Sequence, residues 1–131
     1  MRGSCLCGAV AFEATGLPIT FDLDHCSRCR KSSGSAFKAE VIVEPGGFRW
    51  LSGQSMVRIY EAPVRETAPG YRRAFCIACG GPVPIVEDHM INIPAGTLDD
   101  DPGVRPRRHI FVAAKATWFE ITDGLQRFPR K

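Results

Sequence analysis

Residues 3–14 read GSCLCGAVAFEA, and residues 75–82 read FCIACGGP. Both stretches set two cysteines close together, Cys5 with Cys7 and Cys76 with Cys79, and both place a glycine directly after the second cysteine. A metal-binding knuckle turns the backbone sharply so that its amides face the sulfurs. A glycine after the ligand permits the positive φ that such a turn needs. Two hooks of this kind supply four thiolates, the donor set of a closed, tetrahedral structural zinc site. A zinc joining Cys5, Cys7, Cys76 and Cys79 would close a long loop and tie the start of the chain to its middle. The alternative reading, four inert cysteines packed as small hydrophobes, leaves the two trailing glycines without a role.

Working outward from the hooks, the periodicity is that of strands. Gly8–Ala14 alternates with Val10 and Phe12 on one face, and Ile19–Leu23 sets Ile19, Phe21 and Leu23 against Thr20 and Asp22. Phe37–Val43 continues the pattern, and further short strands are expected at Phe48–Leu51, Met56–Tyr60, Tyr71–Cys76, Val83–Val86, Met90–Ile93, His109–Val112 and Trp118–Ile121. Gly-Pro and Gly-Gly breakers separate them, at Gly16-Leu17-Pro18, Pro45-Gly46-Gly47, Gly80-Gly81-Pro82 and elsewhere. The one helical turn expected is Ser27–Ser33. Glu61–Gly70 and Ala95–Arg108 read as surface loops. Many short strands with frequent turns predict an all-β domain of two packed or strongly coiled sheets, spanning residues 1–131 as a single unit. A chain of 131 residues buries about two-thirds of its unfolded surface without help.

The formal charge is +3, with the basic residues scattered along the sequence. That balance does not predict nucleic-acid binding. The N-terminus, MRGSCLCGAV, has no long apolar stretch after its arginine, so neither a signal peptide nor a membrane span is expected. Six cysteines without a secretion signal point to a reducing, cytoplasmic setting, where spaced cysteines serve more often as metal ligands than as disulfides. No feature specifies an oligomeric state.

The third cysteine pair lies in DLDHCSRCRKSSGSAF, residues 22–37. Cys26 and Cys29 lack the trailing glycine and follow the Ile19–Leu23 strand. Residues two apart in an extended chain share a face, so Asp24 and Cys26 point the same way if the strand reaches that far, and the following turn brings Cys29 round. Three converging donors, Asp24, Cys26 and Cys29, leave one tetrahedral position open, the mark of a catalytic metal site. Arg28, Arg30 and Lys31 stand beside them, where they would lower thiol pKa values and attract an anionic substrate. A thioredoxin-like redox pair would need a βαβ pattern, which is lacking. A plain pair of reduced thiols on a turn is the remaining alternative. His25 faces away from the donors in an extended segment and reads as a packing or hydrogen-bonding residue. His89 and His109 read as structural, and Asp99-Asp100-Asp101 as a solvated turn, since it lacks the ligand spacing of a calcium loop.

Taken in order, GSCLCGAVAFEA, HCSRCRKSSGSAF, RAFCIACGGPVP, IPAGTLDD and HIFVAAKATWFEITDGLQRF resemble the glutathione-dependent formaldehyde-activating enzyme family, which is related to centromere protein V and has the Mss4-like fold. The resemblance runs from Gly3 to Phe128. It implies coiled antiparallel sheets around zinc, with Cys5, Cys7, Cys76 and Cys79 matching the structural ligands. It further implies a second, catalytic zinc held by three cysteines spaced C-x-C-x-x-C. Cys26 and Cys29 match the second and third of these, and Asp24 stands where the first would be. The activity implied is that of a carbon–sulfur lyase joining a small thiol such as glutathione to a small aldehyde, formaldehyde, to give S-hydroxymethylglutathione. From their place beside the donors, Arg28, Arg30 and Lys31 are expected to hold a substrate carboxylate. A carboxylate is a legitimate zinc ligand but a harder one than thiolate. Asp24 is therefore either the third ligand of a labile, electrophilic zinc or the sign that the second zinc is lost, leaving a non-catalytic, zinc-stabilised binding module.

Overall fold

The alternating segments around Phe21 and Val41 become the central ladder of the computed structural model, which describes residues 1–131 throughout. In chain order the strands are β1 (Arg2–Ser4), β2 (Ala11–Glu13) and β3 (Pro18–Asp24). The single helix α1 (Ser27–Ser33) follows. After it come β4 (Lys38–Val43), β5 (Arg49–Ser52), β6 (Val57–Glu61), β7 (Arg72–Cys76), β8 (Ile85–Val86), β9 (Ile91–Pro94), β10 (Arg108–Ile110) and β11 (Gln126–Arg127). They form a three-stranded sheet β1-β2-β5, a six-stranded sheet β11-β10-β3-β4-β9-β8 and the hairpin β6-β7.

The all-β expectation holds, and its physical basis is visible in the core. Register pairs Val41 with Ile93 and Val43 with Ile91 on adjacent strands. Phe12 and Ala14 of the small sheet pack on these four residues, all fully buried or nearly so. Phe48 stacks on Phe12 at 5.9 Å and Trp50 meets it edge-on at 6.4 Å between centroids. Burying each large aliphatic or aromatic side chain of this set contributes about 1.5–3 kcal/mol. A second cluster joins Val10, Ala74 and Val83 to Cys5 and Cys76, so two of the hook thiols are themselves core residues.

One edge of the large sheet departs from antiparallel pairing. Strand β10 runs parallel to both β3 and β11. It is reached from the other edge of the sheet through the long loop after β9, whose residues Ala95–Thr97 form a 3-10 turn. The aspartates of that loop do more than face solvent. Asp99 accepts from Ser4 Oγ at 2.8 Å and Asp100 accepts from the Arg2 amide at 2.7 Å, which seats β1 against the loop. Gly3 is needed there: a Cβ at that position would run into the Phe12 ring and lie 2.6 Å from the Thr97 carbonyl oxygen.

Trp118–Ile121 is not a strand. Lys115 Nζ donates to the carbonyls of Ala116 and Phe119, and the Phe119 amide donates to Ala116, which winds the segment into a turn. Trp118 is 73% exposed, while Phe119 packs edge-on against Phe37 at 5.6 Å. No helix is long and apolar enough to cross a membrane.

Candidate metal centres and adjoining cavities

The first centre forms where the turn after β1 meets the turn after β7. The sulfurs of Cys5, Cys7, Cys76 and Cys79 all lie within 4.8 Å of one another. Cys5 and Cys7 sulfurs are 3.6 Å apart, and Cys7 and Cys76 sulfurs 3.9 Å. A zinc tetrahedron with bonds of ~2.3 Å has edges of about 3.8 Å, so the spacing fits the metal. Gly8 and Gly80 take φ of +79° and +70°, the left-handed turns expected from the sequence, with nothing near where a side chain would sit. The turns aim amides at sulfur: Val10 N–H donates to Cys5 Sγ at 3.3 Å and Gly81 N–H to Cys79 Sγ at 3.4 Å.

The thiols also show why a cation belongs among them. The amides of Gly81 and Cys7 bring Cys79 down to about 6. Cys7 is lowered by the Ala9 amide but raised more by its neighbouring sulfurs, Cys5 first, to about 11. Without a positive ion the set cannot hold four thiolates at neutral pH. With one it can.

The second centre forms at the junction of β3 and α1. Asp24, the last residue of β3, offers its carboxylate within 4.8 Å of the sulfurs of Cys26 and Cys29. Cys26 is the N-cap of α1, its sulfur accepting from the Cys29 amide at 3.1 Å, and Asp24 Oδ1 accepts from the Cys26 amide at 2.8 Å. Gly34, at φ +66°, ends the helix. The structure therefore brings Asp24, Cys26 and Cys29 together. Burial raises the Asp24 carboxyl, opposed by the Cys26 amide and helped by the charge of Glu40. Cys26 is lowered chiefly by its bond with Cys29. Cys29, 3% exposed, is raised by Cys26 and by burial. Two sulfurs and one oxygen in tetrahedral reach suit zinc.

Cavities surround this second centre. One, of about 200 Å³, is lined by Asp24, Cys29, Lys38, Glu40, Tyr71 and Asn92 among others. Within it Lys38 Nζ pairs with Glu40 at 2.9 Å, and Asn92 Nδ2 donates to Glu40 at 2.8 Å. The Tyr71 hydroxyl is 2.7 Å from Ser32 Oγ. Burial and the neighbouring Cys29 raise Tyr71 well above the usual phenol range. A second cavity exposes Cys26 beside Arg28 and Arg65. Across Tyr71 lies a third, lined by Arg28, Lys31, Arg65 and Arg73. Arg28 and Lys31 thus share one face of α1. Arg30 does not line this cavity, and its Nε is buried without a partner.

His25, between two of the site donors, heads a buried chain. Its Nε2 is 2.8 Å from His109 Nδ1, and His109 Nε2 is 2.9 Å from the Asp123 carboxylate. A carboxylate can only accept, so His109 carries its proton on Nε2 and His25 donates to it. Burial first, then the neighbouring His109 ring and the charge of Lys115, depress His25 to about 4 and keep it neutral. The sequence reading of both histidines as structural agrees with this. It missed their pairing across 84 positions, along with Lys38, Tyr71, Arg65 and Arg73, because none of these carries a local motif.

Comparison with known proteins adds the following. The family model described as glutathione-dependent formaldehyde-activating enzyme matches residues 1–114. Among solved structures, the chain is similar to a crystal structure of a Rhodobacter sphaeroides protein from a structural-genomics programme. The TM-score is 0.59 at 22% identity, covering 81% of this chain and 92% of that one. At that identity the likeness shows the fold alone. No curated protein matches.

Proposed function

The chain belongs to the glutathione-dependent formaldehyde-activating enzyme family, and from that premise we propose that it is a zinc-dependent carbon–sulfur lyase. Its substrates are a small thiol, glutathione or a similar one, and formaldehyde or a related aldehyde. The observation that carries this reading is the convergence of Asp24, Cys26 and Cys29 beside open cavities. Three protein donors leave one tetrahedral position for a substrate. Zinc bound there supplies Lewis acidity and favours the thiolate form of a bound thiol.

In the reaction a sulfur–carbon bond forms, the carbonyl π bond breaks, and the thiol proton ends on the former aldehyde oxygen. The residues around the centre serve each part. Tyr71, kept protonated, donates a hydrogen bond to the oxygen as it gains charge. Lys38, held by Glu40 and Asn92, places a positive charge on the same cavity wall. Arg28 and Lys31 hold the anionic part of the thiol. Arg30, turned from that cavity, is left to a charge role near His25. Six cysteines without a disulfide fit a reducing compartment, and we place the protein in the cytoplasm.

The test is the rate at which the S-hydroxymethyl adduct forms, followed by NMR with zinc-loaded protein. Faster formation that disappears in Cys26→Ala is the expected result. A rate equal to buffer with every small thiol tried overturns the reading.

One observation favours a second reading, a non-catalytic zinc-stabilised module. Asp24, the third donor, is a carboxylate rather than a thiolate, a harder ligand whose charged form its burial disfavours. On that reading metal analysis finds one zinc per chain, and a specific macromolecular partner is captured.

A further inference from the structure

The positive charge is scattered along the sequence but not in space. Several cations elsewhere on the surface meet carboxylates, as Arg49 meets Glu13, Arg72 meets Glu87, Arg105 meets Asp101 and Arg108 meets Asp22. Arg28, Lys31, Arg65 and Arg73 meet none, and all four line one cavity of about 490 Å³ with no acidic residue in its wall. Neutral groups aim three of them. Arg28 Nη2 donates to Pro63 O at 2.5 Å and Arg65 Nη1 to Ser27 Oγ at 3.1 Å. Arg73 donates to the Ser32 and Gly80 carbonyls at 3.1 and 3.0 Å, and its guanidinium lies over the Phe75 ring. These bonds fix direction without cancelling charge.

Four like charges around a concavity repel one another and focus a positive field into it. An anion relieves that repulsion, and guanidinium forks suit phosphate oxygens. The volume is that of a small-molecule site, which runs from about 300 to 1,000 Å³. Tyr71 is a wall shared with the cavity of Asp24 and Cys29, and Arg28 and Arg65 are walls shared with the cavity that exposes Cys26.

The charge of the cavity selects among thiols. Glutathione has two carboxylates and an ammonium, and the ammonium would face four cations with no carboxylate to accept it. A thiol whose far end is a phosphate brings two negative charges and no ammonium. We propose that the substrate thiol is a phosphorylated one, with its phosphate among Arg28, Lys31, Arg65 and Arg73 and its sulfur at Asp24, Cys26 and Cys29. The position of the sulfur rests on the thiol–aldehyde reading above. The phosphate site does not.

Two measurements on the zinc-loaded protein test this separately. Calorimetry with inorganic pyrophosphate reads the anion site without turnover. A double variant, Arg28→Gln with Lys31→Gln, is expected to weaken it about tenfold or more. Arg107→Gln, at an exposed cation elsewhere, is expected to leave it unchanged. Adduct formation with phosphopantetheine, pantetheine and glutathione reads the substrate. A kcat/KM for phosphopantetheine about thirtyfold above that for pantetheine is expected, the ratio falling toward one in the double variant. Pyrophosphate binding that is the same in the double variant overturns the inference, as does a phosphopantetheine-to-pantetheine ratio near one. Pyrophosphate binding lost in the double variant, with no turnover of any thiol, upholds the anion site and overturns the lyase reading instead.

Discussion

The two candidate metal centres use the same donor atom in different settings. The first is built from two turns, each released by a glycine at positive φ, and two of its four thiols belong to the hydrophobic core. The second sits where a strand ends and a helix begins, and its donors double as caps for the backbone around them. Four thiolates close a tetrahedron and three donors do not. Cavities reach the second centre, lined by titratable and cationic side chains. The difference teaches that thiol content alone does not decide whether a candidate site is closed or open; donor count does.

The sharpest way to break this comparison is to remove one thiol from the closed centre. Apparent binding free energies for structural zinc are about 10–16 kcal/mol, against a net stability of about 5–15 kcal/mol for a domain. Cys76→Ala is therefore expected to leave the chain unfolded, seen as loss of the cooperative melting transition. Native circular dichroism in that variant would mean the first centre is no more structural than the second.

Removing a donor from the open centre should have a different result. Cys26→Ala takes away a ligand and a helix cap, a cost of about 1 kcal/mol, which lowers the melting midpoint by about 3–5 °C. Metal analysis should find one zinc fewer with the fold intact. The reverse change, Asp24→Cys, supplies a third thiolate, and the second zinc should then leave more slowly to a chelator than from the native chain.

A third change separates the centres through the sheet. Asp22 is buried two residues before Asp24 and makes a bidentate pair with Arg108 at 2.8 and 2.9 Å. Burial pushes its carboxyl up, but the bonds from Arg108 and Thr20 outweigh that and hold it below the usual value. The stability it contributes is thus fully present above the unfolded carboxylate pKa of about 3.9 and is lost as pH falls through the lower folded value. From pH 7 to about 4 the pair should stay intact, so metal lost in that range leaves because its own ligands are protonated. Arg108→Ala abandons a buried carboxylate, a change that costs about 3–5 kcal/mol for a fully buried pair. Arg108 is 31% exposed, which places the expectation at or below the lower end. Chelator competition should show weaker zinc binding at the second centre and unchanged binding at the first.

The smallest expected effect is Gly80→Ala. No atom blocks the added methyl, so its cost is the left-handed backbone alone, about 1 kcal/mol. Thermal denaturation should show a drop of about 3–5 °C with both metals retained.

The closed centre was legible because its signal is local. Cysteine, short spacer, cysteine, glycine encodes the turn within five residues or fewer, and only the meeting of the two turns had to be inferred. The convergence of Asp24 and Cys26 was anticipated from strand alternation, but β3 ends at Asp24 and a bond from the Cys26 amide to Asp24 makes the turn instead. The cavities were not legible. Arg28 and Lys31 come from α1, Arg65 from a loop and Arg73 from β7, and no periodicity links them. The parallel placement of β10 beside β3, which brings His109 to His25, depends on a crossover that no turn residue announces. Trp118 misled for a different reason: apolar alternation in a short segment describes a strand only if the backbone is free to extend, and Lys115 ties it into a turn.

The span between the two hooks also sets an order of events during synthesis. Cys7 leaves the ribosome 69 residues ahead of Cys76, after β1 but before its pairing partner β2. Until β7 has emerged, the nascent N-terminal segment offers an ion two sulfurs, half of its eventual cage. An ion held by all four sulfurs would therefore be captured only once Cys79 has been made.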